Sequence, residues 1–295
     1  MGYGSYRASD WTKLKTSRKL DTATTNEIFK SEKAKDKYLP KYFDKREARD
    51  SEEHPESTPI MIGVDVTGSM GYLSTQIIKE SLNELMMKLY STDYITDPQL
   101  LFAAIGDATA DVYPLQVTQF ETDIRIAEQL MELYLEQGGG DGPEDYDLLW
   151  YFADKCTDTD SFNKRHKKGF CFTIGDASNH TKLTKEGIKR TFGTDVKRDL
   201  TAKELAKNAS QKYELFHIMI DNFAYDNIKS FIPGRVIYVN KQDIKYIPEI
   251  IISVIQLTKG TDKNTVLEQW DATIRPIIKN AIDKLTIAKG KLIHL

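Results

Sequence analysis

Short apolar runs alternate with stretches of helical periodicity along the middle of the chain. Residues 60–64 form a continuous apolar run between Pro59 and Asp65, which is typical of a strand buried on both faces. Residues 73–89 then repeat apolar side chains at helical spacing. The same criteria predict strands at 100–105, 112–120, 169–174, 215–220 and 235–239, and helices at 124–135, 144–155, 201–211, 247–257 and 266–285. We therefore predict an α/β fold with a doubly wound, mainly parallel sheet.

Individual residues refine these predicted elements. The runs at 100–105 and 112–120 are close enough in sequence to pair as a hairpin, which gives the sheet one antiparallel edge strand. Thr201 has the side chain of a helix N-cap, and Pro143 suits the first turn of the helix that follows it. Pro276 interrupts the last helical segment, so we expect a break or kink there.

The character of the chain changes at both ends of this alternating region. The first 50 residues hold 13 Lys and Arg against 8 Asp and Glu, a local charge of +5. Because the whole chain has a net charge of -3, the remainder carries -8. We predict an N-terminal basic arm at 1–57, a central domain at 58–260 and a C-terminal helical extension at 261–295. We expect short helical pieces in the arm, partly packed on the body, and its charge makes it either a docking segment or a solvated tail.

Composition narrows the class of protein. A net charge of -3 argues against a general nucleic-acid-binding protein. The two cysteines, Cys156 and Cys171, are too few for a disulfide framework or a cysteine-based metal site. No apolar stretch approaches the ~20 residues needed to cross a bilayer, and the polar N-terminus lacks a signal-peptide pattern. These features predict a cytoplasmic protein that binds neither nucleic acid nor membrane.

Oxygen-bearing side chains cluster where the predicted strands end. In open α/β sheets, ligands bind beyond the carboxyl ends of the strands. The candidates there are Asp65 after the first strand, Thr67 and Ser69 in the turn that follows, Asp141 in a glycine-rich loop, and Asp176 after the central strand. A site made only of carboxylates and hydroxyls suits a hard cation, Mg²⁺ first and then Mn²⁺ or Ca²⁺.

Three segments around these residues carry a family resemblance. Residues 62–70 (IGVDVTGSM) resemble the first metal-site motif of von Willebrand factor A domains. Residues 138–145 (GGGDGPED) resemble the second metal loop of a subgroup that includes the A domains of some alpha-kinases, and residues 172–177 (FTIGDA) resemble the third motif. The resemblance covers roughly residues 59–257. It implies a Rossmann-like sheet, a metal-ion-dependent adhesion site with a divalent cation, and protein binding as the usual role.

The resemblance also implies a role for each ligand. Thr67 and Ser69 would bind the metal directly, and Asp65 and Asp176 would bind it directly or through water. Two neutral hydroxyls and few direct carboxylates leave such a metal electrophilic. It then favours an anionic ligand from outside, such as an Asp or Glu side chain of another protein.

The second loop departs from the family pattern. Gly140 and Asp141 stand where many members have Thr, and we assign the ligand role to Asp141. A direct Asp141 contact would make the metal less electrophilic and the capture of a partner weaker. Asp107 and His180 are expected near the same rim, as residues that support the site or contact the partner.

These inferences predict a metal-dependent protein-binding module and not an enzyme. The similarity to intracellular A-domain proteins suggests an AAA+ ATPase assembly as the partner. One alternative is a scaffold with a vestigial metal site that binds through its terminal extensions. A second is a metal-dependent phosphohydrolase, because residues 65–67 resemble the haloacid dehalogenase motif. Thr67, however, stands where that chemistry needs a second Asp as general acid.

Overall fold

A six-stranded mixed sheet forms the centre of the molecule, whose computed structural model describes residues 4–66, 71–136, 142–221 and 224–287. The strands of the described residues are β1 (Arg46–Ala48), β2 (Thr58–Asp65), β3 (Pro98–Ile105), β4 (Leu115–Val117), β5 (Thr157–Thr159), β6 (Gly169–Gly175), β7 (Lys182–Leu183), β8 (Leu200–Thr201), β9 (Tyr213–Ile220) and β10 (Val236–Val239).

The strand order of the central sheet is β4-β3-β2-β6-β9-β10. Numbered only among themselves, these strands run 3-2-1-4-5-6, which is the Rossmann-like doubly wound order. All neighbours are parallel except β3 and β4, which pair antiparallel at the edge. The predicted fold class, a mainly parallel sheet with one antiparallel edge strand, is confirmed.

Helices cover both faces of this sheet. They are α1 (Ala8–Ser17), α2 (Thr25–Ile28), α3 (Gly71–Gln76), α4 (Leu82–Ser91), α5 (Arg125–Leu130), α6 (Asp147–Lys155), α7 (Asp160–Arg165), α8 (Lys185–Phe192), α9 (Ala202–Ala209), α10 (Tyr225–Phe231), α11 (Ile247–Thr258), α12 (Lys263–Glu268) and α13 (Arg275–Ile282). A single π-helical turn, Ile77–Ser81, joins α3 to α4. Within the described ranges, no helix combines the length and the apolar character that a membrane span requires.

Successive residues of β2 alternate between two hydrophobic cores. Ile60, Ile62 and Val64 pack in the core that also holds side chains of α4, α11 and α13. Met61 faces the opposite core, with side chains of α6 and α9. This period of two is the geometry of any strand. Because helices cover both faces, both sets of positions must be apolar, and this explains the uninterrupted apolar run in the sequence.

Several element boundaries differ from the prediction. The strand predicted at 112–120 is only Leu115–Val117, because the N–H groups of Val112 and Tyr113 donate to the Glu136 carboxylate instead of to a strand. The helix predicted at 124–135 is limited to Arg125–Leu130. Side-chain acceptors and local turns thus end elements that the apolar pattern alone would extend.

The helix predicted from residue 144 begins at Asp147. The Glu144 N–H donates to the Ser178 carbonyl at 2.8 Å, and the Glu144 carbonyl accepts from the His180 N–H at 3.1 Å. Glu144 is therefore paired with a neighbouring loop and cannot join the helix. By contrast, Thr201 caps α9 as predicted, since its Oγ1 accepts from the backbone N–H of the third residue beyond it.

The segment before β2 packs on the body of the protein. Trp11 of α1 is buried in the core that contains α4, and β1 pairs in parallel with β5. Arg46 of β1 is also buried, and its guanidinium carbon lies 3.5 Å from the centroid of the Phe43 ring. The described part of this segment is therefore not a solvated tail, because it contributes side chains to the core.

The C-terminal segment contains two helices. The single helical pattern at 266–285 is divided between α12 and α13. Pro276 lies in the first turn of α13, where its missing N–H costs nothing. The break expected near this proline therefore falls just before it.

Candidate metal centre

Two of the predicted ligands follow adjacent strands at the point where the strand order reverses. Asp65 is the last residue of β2, and Asp176 comes directly after β6. These strands are parallel neighbours, with Val64 opposite Ile174. In doubly wound sheets this switch point is where ligands bind. The tertiary structure thus brings Asp65 and Asp176 to one edge, as a shared cation site requires.

The remaining predicted ligands, Thr67, Ser69 and Asp141, lie outside the described residues. Asp65 is completely buried, whereas Asp176 is partly exposed. The donors that the described residues place at the switch point are carboxylate oxygens, which are the ligands that hard divalent cations prefer. The residues present therefore fit the kind of cation that the sequence predicts.

Tyr146 connects the ends of β2 and β6. Its hydroxyl donates to Asp65 Oδ2 at 3.0 Å and accepts from the Ala177 N–H at 3.2 Å. Burial raises the pKa of Tyr146 well above its usual range, and the charge of Asp65 raises it further. The phenol therefore stays protonated and remains a donor. It orients the Asp65 carboxylate, as hydrogen-bonded partners of metal ligands commonly do.

Gly175 makes room for this contact. A Cβ at this position would overlap the Tyr146 hydroxyl, so only glycine lets β6 pass so close to the ring. Below the ring lies His217 of β9, whose ring centroid is 4.6 Å from that of Tyr146. Burial lowers the pKa of His217 to about 3. The imidazole is therefore neutral and contacts Thr173 Oγ1 through Nδ1 at 2.8 Å.

An open cleft of about 740 Å³ lies beside Asp176. Its walls include Asp176 and Ser178 from the loop after β6, Tyr225 from α10, and two lysines, Lys229 and Lys284. The Lys284 Nζ lies 4.7 Å and the Lys229 Nζ 5.8 Å from the centroid of the Tyr225 ring. The walls of the cleft therefore carry two lysines and two carboxylates, Asp176 and Asp226, and the lining is balanced in charge.

A second polar cluster lies at the same edge of the sheet, formed by Asp107, Asp145 and His180. Asp107 follows β3 and is completely buried. Asp145 Oδ1 lies 3.1 Å from His180 Nδ1, and Asp145 Oδ2 accepts from the Ala108 N–H at 2.7 Å. Burial raises the pKa of Asp145, although the hydrogen bond from Ala108 and the His180 ring oppose the rise.

Sequence reasoning places Asp107 and His180 near the site but does not identify Tyr146 or Asp145. Both follow the glycine-rich loop, in a stretch whose apolar pattern indicates a helix. Nothing local marks their polar atoms as partners of Asp65 and His180, which are distant in sequence. The only signal for Asp145 is its position at the end of the GGGDGPED motif.

No protein-family model and no curated protein matches the chain. Solved structures do. The chain is similar to proximal thread matrix protein 1 of the mussel byssus, with a TM-score of 0.47 and 11% identity, over 72% of this chain and 49% of that one. It is similar to the pilus adhesin SpaC of Lactobacillus rhamnosus GG, with a TM-score of 0.46 and 11% identity, over 71% of this chain and 32% of that one.

A third similar structure is a von Willebrand factor type A protein of Catenulispora acidiphila. Its TM-score is 0.39 and its identity 13%, over 70% of this chain and 44% of that one. This chain therefore spans about half or less of the length of each of these proteins. The strand order of the sheet establishes a Rossmann-like fold, which is the fold that the resemblance to von Willebrand factor A domains predicts.

Proposed function

We propose that the chain is a metal-dependent protein-binding module. Asp65 and Asp176, together with Thr67, Ser69 and Asp141, would hold a divalent cation, Mg²⁺ foremost. When bound, the cation supplies a positive centre for a carboxylate of a partner protein. The observation that carries this proposal is the position of Asp65 and Asp176 on adjacent strand ends at the switch point of the sheet.

The surroundings of the site favour binding over chemistry. Tyr146 stays protonated, and His217 is buried and neutral. Neither is therefore suited to accept a proton from a substrate at neutral pH. The chain's own residues orient one carboxylate, expose the other at the rim of a cleft, and place Lys229 and Lys284 on its walls.

The same cleft indicates the chemistry of the partner. Lys229 and Lys284 balance the charges of Asp176 and Asp226 in this cleft, so a bound divalent cation would make the lining positive and would favour further acidic groups in the partner. We therefore expect an acidic segment with Asp or Glu at its centre. Surface charges of this kind act mainly on the association rate and weaken with salt.

The first test measures thermal unfolding of the EDTA-treated chain with and without Mg²⁺. At a Mg²⁺ concentration of 100 times the dissociation constant, binding stabilises the folded state by about 2.7 kcal/mol. Asp65→Asn keeps an oxygen acceptor for Tyr146 but removes the charge, and we expect the Mg²⁺-dependent shift to disappear. Asp226→Asn, on the wall of the same cleft, is the matched control and should retain the shift.

The second test measures partner capture with a fluorescent hexaglutamate peptide. We expect the peptide to bind in Mg²⁺, to be released by EDTA, and to lose affinity with Asp65→Asn. A hexaglutamine peptide is the control for charge. Equal binding of both peptides, or binding that persists in EDTA, would contradict capture of a carboxylate by the cation and would favour the metal-independent scaffold.

A further inference from the structure

The cluster of Asp107, Asp145 and His180 brings three loops together beside the first site. Each residue offers one potential ligand atom, and these atoms all lie within 4.8 Å of one another. Asp107 belongs to the loop after β3, Asp145 to the loop before α6, and His180 to the loop after β6. These residues are separate from the five predicted ligands of the first cation.

The Asp107 carboxylate is only half satisfied in this cluster. Its Oδ1 accepts from the Thr109 hydroxyl at 2.6 Å and from the Ala110 N–H at 3.2 Å. Its Oδ2 is buried and has no hydrogen-bond partner among the described residues, and the residue is 0% exposed. A buried polar atom without a partner costs about 1–3 kcal/mol, and more when charged. Among the described residues, this oxygen lacks the hydrogen-bond donor or cation that a buried carboxylate oxygen requires.

We propose that Asp107, Asp145 and His180 bind a second divalent cation, of the Zn²⁺ class and distinct from the cation at Asp65 and Asp176. An imidazole nitrogen with two carboxylates suits Zn²⁺, whereas a set of oxygens alone suits Mg²⁺. Ligands of one Zn²⁺ at ~2.1 Å lie up to ~4.2 Å apart. A small adjustment of the side chains therefore closes the cluster on an ion.

Such an ion would add metal–ligand bonds to the hydrogen bonds that join the three loops. Asp145 already joins all three, because its Oδ2 accepts from the Ala108 N–H at 2.7 Å and its Oδ1 lies 3.1 Å from His180 Nδ1. The cation would bind all three loops at once and would satisfy Asp107 Oδ2. The proposal does not depend on partner capture at the first site, because it uses different residues and a different class of metal.

The test uses isothermal titration of the full chain with zinc chloride after treatment with EDTA and dialysis. Asp65→Asn serves as the background, so that the first site does not contribute. We expect one equivalent of Zn²⁺ to bind. We then add His180→Asn to this background. Loss of a group that only supports a ligand weakens metal affinity by up to roughly 100-fold, so loss of His180 as a direct ligand should weaken Zn²⁺ affinity by more than that. His166→Asn is the matched control, because Asn also tolerates the positive φ of 52° at this position.

Two results would overturn the second site. One is the absence of Zn²⁺ binding by the Asp65→Asn chain. The other is equal Zn²⁺ affinity of the Asp65→Asn chain with and without His180→Asn. Circular dichroism of His180→Asn verifies that the variant is folded, and the visible spectrum of bound Co²⁺ gives an independent readout of imidazole ligation. If the Zn²⁺ site is wrong, the parent chain still shows the Mg²⁺-dependent thermal shift that Asp65→Asn removes. If the proposed function is wrong, that thermal shift is absent and Zn²⁺ still binds at His180.

Discussion

Tyr146 shows how a single hydroxyl can organise a site made from distant segments. It donates to Asp65 and accepts from the Ala177 backbone, and it is completely buried. The helical pattern around it gives no reason to expect this role. Its importance follows from the register of β2 and β6, which places Asp65 and the residues after Gly175 on either side of one phenol.

Tyr146→Phe should affect both stability and metal binding. Removing the hydroxyl leaves the Ala177 N–H and one Asp65 oxygen without this partner, so we expect a loss of about 1–3 kcal/mol in the free energy of unfolding. Mg²⁺ affinity should fall by about 10–100-fold, as for other groups that orient a ligand. Urea unfolding and Mg²⁺ titration measure the two effects. Tyr42→Phe, at an exposed tyrosine, should change neither, and an equal effect there would argue against the proposed role.

At the scale of elements, α4 and α11 pack together, and the buried Glu249 of α11 lies near the partly exposed Glu84 of α4. Glu249 of α11 is 2% exposed, and burial raises its pKa to about 7, with a further contribution from Glu84 of α4. Lys88 Nζ lies 3.7 Å from Glu249 Oε1 and partly opposes the rise. Because the pKa is higher in the folded than in the unfolded state, Glu249 favours folding at low pH. This contribution is lost as the pH rises through about 7.

Glu249→Gln should remove this pH dependence. The amide mimics the protonated carboxyl, so the variant should gain stability relative to the parent chain between about pH 5 and pH 8. The measurement is urea unfolding at several pH values. Glu268→Gln, at an exposed position of α12, is the control. Parallel stability curves for Glu249→Gln and the parent chain would show that Glu249 ionises freely in the folded state.

How accurately the sequence predicts each element depends on which partners the backbone N–H and C=O groups at its ends have. Central strands and α11 follow the apolar pattern, because both are buried on most sides. The ends of β4 and α6 do not follow it. There the backbone pairs with the Glu136 side chain or with the loop after β6. At these ends, a side chain or loop from elsewhere in the chain accepts or donates the hydrogen bond that the strand or helix would otherwise make. The apolar pattern of the segment does not predict such a change of hydrogen-bond partner.

At the scale of the whole molecule, the N-terminal segment belongs to the hydrophobic core. Its positive charge and lack of an apolar period leave a docking segment and a solvated tail as alternatives. Isolated side chains such as Trp11 and Leu14 nevertheless insert into the core shared with α4. Because the buried residues of this segment are irregularly spaced, their burial produces no periodic signal.

Trp11→Ala should therefore destabilise the entire molecule. Truncating a buried aromatic side chain to Ala costs about 3–5 kcal/mol, and Trp11 is 6% exposed. We expect a single unfolding transition at a lower urea midpoint, followed by tryptophan fluorescence and circular dichroism. Tyr42→Ala, at an exposed position of the same segment, is the control. An unchanged midpoint for Trp11→Ala would mean that the segment does not contribute to the stability of the body.

The sequence by itself determined the layered α/β fold and located Asp65 and Asp176 at strand ends. Both follow from local pattern, since a strand covered by helices must be apolar throughout and its carboxyl end is where polar residues resume. Only the tertiary structure decided that Tyr146 bridges Asp65 to Ala177, and that Asp107, Asp145 and His180 share one cluster. Those contacts join segments far apart in the chain, and their positions depend on the strand order and register, which no local pattern encodes.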